Sequence, residues 1–174
     1  VPNDGIMRID SFTLKNLEIF KSLSDNNNGT LIHCIDNTIT PMGSRLLKDH
    51  IKKPLTDKNK INLRLSVVEE LVENKKINIS IREQLKMIVD IPRISGKIST
   101  NKFNPRDLLN LSNSLDSIFL IKDIIFKKLT KNKKIFKSLS DTKNLSKVIK
   151  KYINIDSPVN IKNGSVINKG VSKD

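Results

Sequence analysis

Apolar residues along most of the chain recur at the three- and four-residue intervals of an α-helix. Leu14, Leu17 and Phe20 mark a short first helix, with Asp10 or Ser11 placed to cap it. Asn26-Asn27-Asn28-Gly29 breaks the pattern, and Thr30 then precedes a brief apolar stretch from Leu31 to Ile35. In Thr40-Pro41-Met42-Gly43, Thr can cap a helix, and Pro suits the first helical position, where an N–H would have had no partner. The helix that follows carries Leu46, Leu47 and Ile51 and stops before Pro54. Asp57 opens the next, in which Ile61, Leu65, Val68 and Val72 predict one apolar face against a core. Asn74-Lys75-Lys76 ends it, and a shorter helix holds Leu85, Ile88 and Val89. Pro92 must interrupt or begin a helix that carries Ile94 and Ile98. Asn104-Pro105 is a second cap-plus-proline start. It opens the longest helix, with Leu108, Leu111, Leu115, Ile118 and Phe119 along one side and an end near Lys128.

Residues 127–151 are rich in Lys, with Asp141 the one acid among them, yet Leu145, Val148 and Ile149 keep an apolar side. They read as a loop and then a short amphipathic helix with a solvated basic face. From Ile155 the texture changes: Pro158, Val159, Ile161, Gly164, Val166, Ile167 and Gly170 read as extended chain with turns. The organisation expected is a linker over 1–10, a helical core over 11–155 and an extended segment over 156–174. The fold class is mostly α, multi-helical, with a short extended or β segment near the C-terminus. No fixed-period repeat is visible.

The 174 residues suffice for one domain or at most one and a half. With aromatics at 4% and no Trp, the core must be built from Leu and Ile. The formal net charge of +14 favours contact with phosphate or another anionic surface. The chain is also rich in Lys, Asn and Ile, so a generally basic surface is the rival explanation. One cysteine, Cys34, rules out an internal disulfide and suits a reducing compartment. No apolar run approaches the ~20 residues of a membrane helix, and no signal peptide is visible. The start at Val1 without an initiator Met, and the stop at Asp174 without an end signal, suggest a piece of a longer protein.

Catalytic signatures are missing. Gly164 and Gly170 stand one residue too far apart for a phosphate-binding P-loop, and Lys169 precedes the second Gly instead of following it. His33, Cys34 and His50 are the only soft metal ligands, too few and too scattered for zinc. Glu69, Glu70 and Glu73 read as solvated charges on a helix face. No catalytic, cofactor-binding or metal-binding residue is assigned.

Four stretches, in order, resemble the MutS family of mismatch-repair proteins. They are Arg8-Ile9-Asp10 through Leu14 to Ile19; Gly29 to Asp36 with Thr40-Pro41-Met42-Gly43-Ser44-Arg45-Leu46-Leu47, Pro54, Asp57, Arg64 and Val68-Glu69-Glu70-Leu71; Asp90-Ile91 with Arg93, then Asn104-Pro105-Arg106-Asp107-Leu108-Leu109 and Ser114-Leu115; and Ile161-Lys162-Asn163-Gly164 through Gly170. Together they cover essentially the whole chain. His50 stands where the family usually shows Trp, Pro92 where Glu is usual and Lys97 where Arg is usual. An ion pair between positions 92 and 97 is therefore not expected, and Lys97 lacks the guanidinium fork.

The resemblance implies the first half of the family's core, or lever, domain. It implies a non-catalytic part that couples an ATPase domain to a DNA clamp, both outside this chain. ATP and Mg would bind in that ATPase domain. Partners would be mismatched double-stranded DNA gripped by other domains, the other domains of the MutS chain, a second copy in a homodimer and a MutL-type repair protein, with no membrane. The location would be cytoplasmic, at the nucleoid. Structural or interdomain candidates are Thr40, Pro41, Gly43, Arg45, Arg93, Asn104, Pro105, Arg106 and Asp107, and DNA-contacting residues are not assigned. Two other readings stay open: a stand-alone basic helical module that binds nucleic acid non-specifically, and the core of the recombination-linked MutS paralogue.

Overall fold

The computed structural model describes residues 5–23, 29–139 and 141–171. Val1 to Asp4 of the expected linker, Asn26 to Asn28 of the expected break and residues 172–174 lie outside these. The chain divides into two compact units, residues 1–69 and 70–174.

The first unit holds α1 (Ser11–Asn16), α2 (Leu31–Ile35), α3 (Pro41–Lys52) and most of α4 (Lys58–Glu73). Each begins where a polar side chain accepts from a backbone N–H that has no partner inside the helix. Asp10 accepts from the Thr13 amide at 2.9 Å, Thr30 from His33 at 3.3 Å and Thr40 from Gly43 at 3.0 Å. Asp57 accepts from Asn59 and Lys60 at 2.8 and 3.2 Å. Backbone bonds join the parts: Met7 N–H donates to Pro54 at 2.7 Å and Thr56 N–H to Gly5 at 2.9 Å, around an antiparallel bridge between Ile6 and Leu55. The start of α2 is tied back by the Leu31 and Ile32 amides, which donate to the carbonyls of Glu18 and Ile19.

The second unit is built around α7 (Pro105–Lys128), with α5 (Lys75–Leu85), α6 (Ile91–Ser99), α8 (Lys143–Tyr152) and a 3-10 turn at Lys133–Ser138 packed on it. Its interior is Ile77, Ile88, Ile94, Leu115, Ile121, Ile125 and Leu129. Polar residues share that interior: Ser112, Ser114 and Ser117 of α7 and Ser146 of α8 are all buried. Buried hydroxyls need partners: Ser112 Oγ donates to Leu109 O within α7 at 2.9 Å, whereas Ser114 and Ser146 also reach groups outside their own helices. Ser146 Oγ donates to the Ser112 carbonyl at 3.1 Å. Ser114 Oγ donates to Asn110 O at 2.8 Å and accepts from the Val89 amide at 3.1 Å. Thr142 Oγ1 donates to the Leu115 carbonyl at 2.7 Å.

Several expectations change. The first helix ends at Asn16, so Leu17 and Phe20 lie beyond it. The apolar face of α4 is not inside: Leu65, Val68 and Val72 are all more than half exposed, and the buried residue of α4 is Glu70, on the opposite side. Periodicity identified an apolar face but not which side of the helix the neighbours occupy. Ile88 and Val89 follow α5 instead of belonging to it. The segment after Ile155 forms no continuous strand among the described residues. It makes one bridge, Ile153 to Ile167, and a 3-10 turn at Ile161–Asn163. Gly164, Ser165 and Gly170 have positive φ, and such residues turn the chain away from a ladder.

Candidate functional site

The start of α7 is where the sequence candidates converge. Asn104 Oδ1 accepts from the Asp107 amide at 2.8 Å, and Asp107 Oδ2 accepts from the Asn104 amide at 3.0 Å. This is a reciprocal capping box, with Pro105 buried at the first helical position. Lys97, near the end of α6, places its ammonium 2.9 and 3.1 Å from the two Asp107 oxygens. One carboxylate therefore caps α7 and fastens α6 to it. The Lys97 hydrogen bond is the main reason that the Asp107 carboxyl lies below its usual range. Burial opposes the shift, and the Asn104 amide and the charges of Lys97 and Arg93 add to it. Lys97 thus finds an acid ten residues onward, and Pro92 takes a place in the first turn of α6. Arg93 and Arg106 are exposed, and Arg106 makes no hydrogen bond or ion pair among the described residues.

The remaining candidates lie in the first unit. Thr40 caps α3 and Pro41 is its first residue. A Cβ on Gly43 would come within 3.1 Å of Thr40 Oγ1, so this close cap favours glycine. Asp36 accepts from Thr38 Oγ1 at 2.6 Å and Ser44 Oγ at 2.5 Å, and the Ser44 hydroxyl is the main cause of its lowered pKa. Arg45 is exposed on α3. The nine candidates form two groups, one in each unit.

Sequence reasoning missed a third cluster. Glu70, read there as a solvated charge, is 4% exposed. Its Oε1 accepts from the amides of Thr130 and Lys131 at 2.5 and 3.0 Å and from Thr130 Oγ1 at 3.1 Å. Its Oε2 accepts from the Asn132 amide and side chain at 3.2 and 3.1 Å. Burial pushes this carboxyl up, but the bonds from Lys131, Thr130 and Asn132 outweigh it and hold the pKa at about 2. The ionised carboxylate pins the chain leaving α7 to the end of α4. Its partners lie some sixty residues away, and nothing local in the sequence marks them.

Parts of the Lys-rich stretch are also fasteners: Lys150 pairs with Asp116, and Lys143 lies 4.8 Å over the Phe119 ring, both on α7. Cys34 is exposed, and among the described residues no three His, Cys, Asp or Glu side chains gather where they could hold a metal ion. No described helix is long and apolar enough to cross a membrane. The clusters described above hold helices in fixed relation, through carboxylates saturated by N–H, O–H and ammonium donors.

Residues 12–169 match the family described as MutS domain III, across both units and all nine candidate positions. The chain belongs to the MutS domain III family. It is 35% identical over 170 residues to the DNA mismatch repair protein MutS of Clostridium tetani, covering 97% of this chain and 19% of that protein. It is 38% identical over 175 residues to the protein of the same name from Flavobacterium johnsoniae, covering 100% of this chain and 20% of the relative. For the one from Halothermothrix orenii the identity is 40% over 173 residues, covering 97% and 19%. The chain spans about a fifth of the length of these relatives. A domain III that recurs inside larger mismatch-repair proteins does not favour the stand-alone basic module, and the mismatch-repair names do not favour the recombination-linked paralogue.

Proposed function

We propose that this chain is the core, or lever, part of a MutS-type mismatch-repair protein, a non-catalytic body through which ATP-driven changes reach the parts that grip DNA. The match to MutS domain III over residues 12–169 carries the reading. The Lys97–Asp107 and Glu70–Asn132 fasteners supply the physics. A body whose helices are locked together transmits displacement, whereas a loosely joined one absorbs it. In this reading residues 1–10 enter the core, 11–155 form it and 156–174 lead toward the lever helix and clamp. The parent is a DNA-dependent ATPase whose ATP and Mg bind outside this chain. It acts in the cytoplasm at the nucleoid on mismatched duplex DNA, as a homodimer with a MutL-type partner.

The test uses the full-length protein. Arg106→Ala is expected to slow ATP-driven release from mismatched DNA more than it lowers affinity for that DNA. Unchanged release would contradict a coupling role for this corner. Metal-dependent ATP turnover by the purified 174-residue chain would contradict the non-catalytic assignment.

A further inference from the structure

The positive charge of this chain is unevenly spread. Residues 122–151 hold eleven Lys and two Asp, with neither Arg nor Glu, so this short stretch carries +9 of the net +14. The whole first unit, residues 1–69, carries +2. A drift of composition toward Lys raises both regions alike, so the excess belongs to this place in the fold. Little of it is neutralised at short range. Lys127 pairs with Asp123 and Lys150 with Asp116. Lys128, Lys131, Lys137 and Lys147 are exposed and meet no acid among the described residues.

Helix α8 gathers part of this charge into a row. Lys143, Lys147 and Lys151 stand four residues apart on one flank, about 6 Å from one to the next along the axis, and α8 contains no acid. All three are exposed. Ser146 is buried against α7, and Leu145, Val148 and Tyr152 take the opposite flank. Two of the three ammoniums lie over rings, Lys143 at 4.8 Å from that of Phe119 and Lys151 at 5.7 Å from that of Tyr152. A ring face steadies a cation without cancelling its charge. The Ser146 bond and the Lys150–Asp116 pair fasten α8 to α7, so the row is held on a fixed body.

We propose that this flank of α8 contacts the phosphate backbone of duplex DNA through Lys143, Lys147 and Lys151. The proposal rests on the reading of the parent as a protein that acts on duplex DNA, and goes beyond it by giving this chain a DNA contact of its own. The chemistry of the row selects the partner. Protein interfaces are depleted in Lys and enriched in Arg and aromatic residues, whereas residues 122–151 have no Arg at all. Single strands are held on aromatic platforms where bases stack, and the row offers no such platform. Base edges are read by planar, two-pronged side chains. An ammonium is instead a point charge that meets phosphate without a directional fork. The contact is therefore independent of sequence.

The salt dependence of DNA binding by the full-length protein provides the test. Each phosphate contact on a duplex adds about 0.9 to the slope of log affinity against log salt. The double variant Lys147→Gln with Lys151→Gln is expected to make that slope shallower by about 2. It should weaken binding to matched and mismatched duplexes by the same factor. Lys147→Arg with Lys151→Arg keeps both charges and should restore the wild-type slope. Lys58→Gln with Lys60→Gln removes the same charge from exposed positions at the start of α4 and should leave the slope unchanged. An unchanged slope in the α8 glutamine variant, an equal change in the α4 variant, or weakening confined to mismatched duplex would each overturn the proposal. An equal loss in Leu145→Ser with Val148→Ser would place the effect in a protein contact of the apolar flank and overturn it too. A wild-type protein that binds duplex without preferring a mismatch would remove the mismatch-repair reading, while the slopes on matched duplex still decide the α8 contact.

Discussion

In residues 5–69, side-chain bonds such as Thr40 to Gly43 and Ser44 to Asp36 close loops of three and eight residues. In residues 70–174, Glu70 reaches 60 to 62 residues along the chain, and Ser146 reaches 34. Hydrophobic burial divides the same way. Among the described residues every buried hydrophobic side chain lies between Ile77 and Leu129, and the first unit buries only Thr30. The second unit thus has a core with long-range fasteners. The first is a set of well-capped short helices joined by backbone pairs. Burial of apolar area is the dominant favourable term in folding, so the two should differ in stability and in how substitutions act.

Substituting Glu70 should have the largest effect. Glu70→Ala leaves the amides of Thr130, Lys131 and Asn132 without their acceptor, and breaking a buried charged network in this way costs about 3 kcal/mol. The single Tyr, Tyr152, reports the second unit selectively, because the chain has no Trp. Its fluorescence should follow the loss in urea. The same carboxylate sets an acid limit. Its folded pKa of about 2 lies below the ordinary 4.5, so its contribution is complete above pH 4.5 and fades as pH falls toward 2. Wild-type stability should drop across that window more steeply than that of Glu70→Ala. Equal pH profiles would show that Glu70 is not the titrating fastener.

Asp107→Ala removes half of the capping box and the acid that holds Lys97, at a cost of about 2 kcal/mol. Lys97→Arg should be neutral or slightly stabilising, because a guanidinium can meet both oxygens with a matched fork. In the first unit Thr40→Ala should cost about 1 kcal/mol. That loss should move the helical circular-dichroism transition without moving the Tyr152 transition. A shift in both would mean that the two units unfold together. The smallest effect belongs to Val68→Ser, which should stay within about 0.5 kcal/mol because Val68 is more than half exposed.

These differences also explain what the sequence could reveal. Thr40-Pro41, Asn104-Pro105 and Thr30 were legible because a cap and the helix it starts lie within four residues. The Asn104 cap of the candidate site was legible for the same reason, whereas the return bond from the Asn104 amide to Asp107 was not read. Lys97 as its third member was not, since its partner could be assigned only once α6 and α7 met. Glu70 was misread because a Glu beside other acids on a helix is ordinarily solvated, and its partners are some sixty residues away. The serine seam of α7 was invisible to a pattern built on apolar residues. Leu65, Val68 and Val72 misled in the opposite sense, since regular spacing marks an apolar face without naming what covers it. The tail past Ile155 alternated like a strand, but alternation supplies no pairing partner, and among the described residues of the tail only Ile167 pairs, with Ile153.

Amide hydrogen exchange across the 174-residue chain tests the division most directly. Residues 110–125 of α7 should exchange slowest, through opening of the whole second-unit core. Amides of α1 and α2, and those at 159–170, should exchange at least about a hundredfold faster, through local opening. Protection at 13–17, 31–36 and 159–170 equal to that at 110–125 would contradict the account, because it would mean one cooperative body in place of a core with locally held parts.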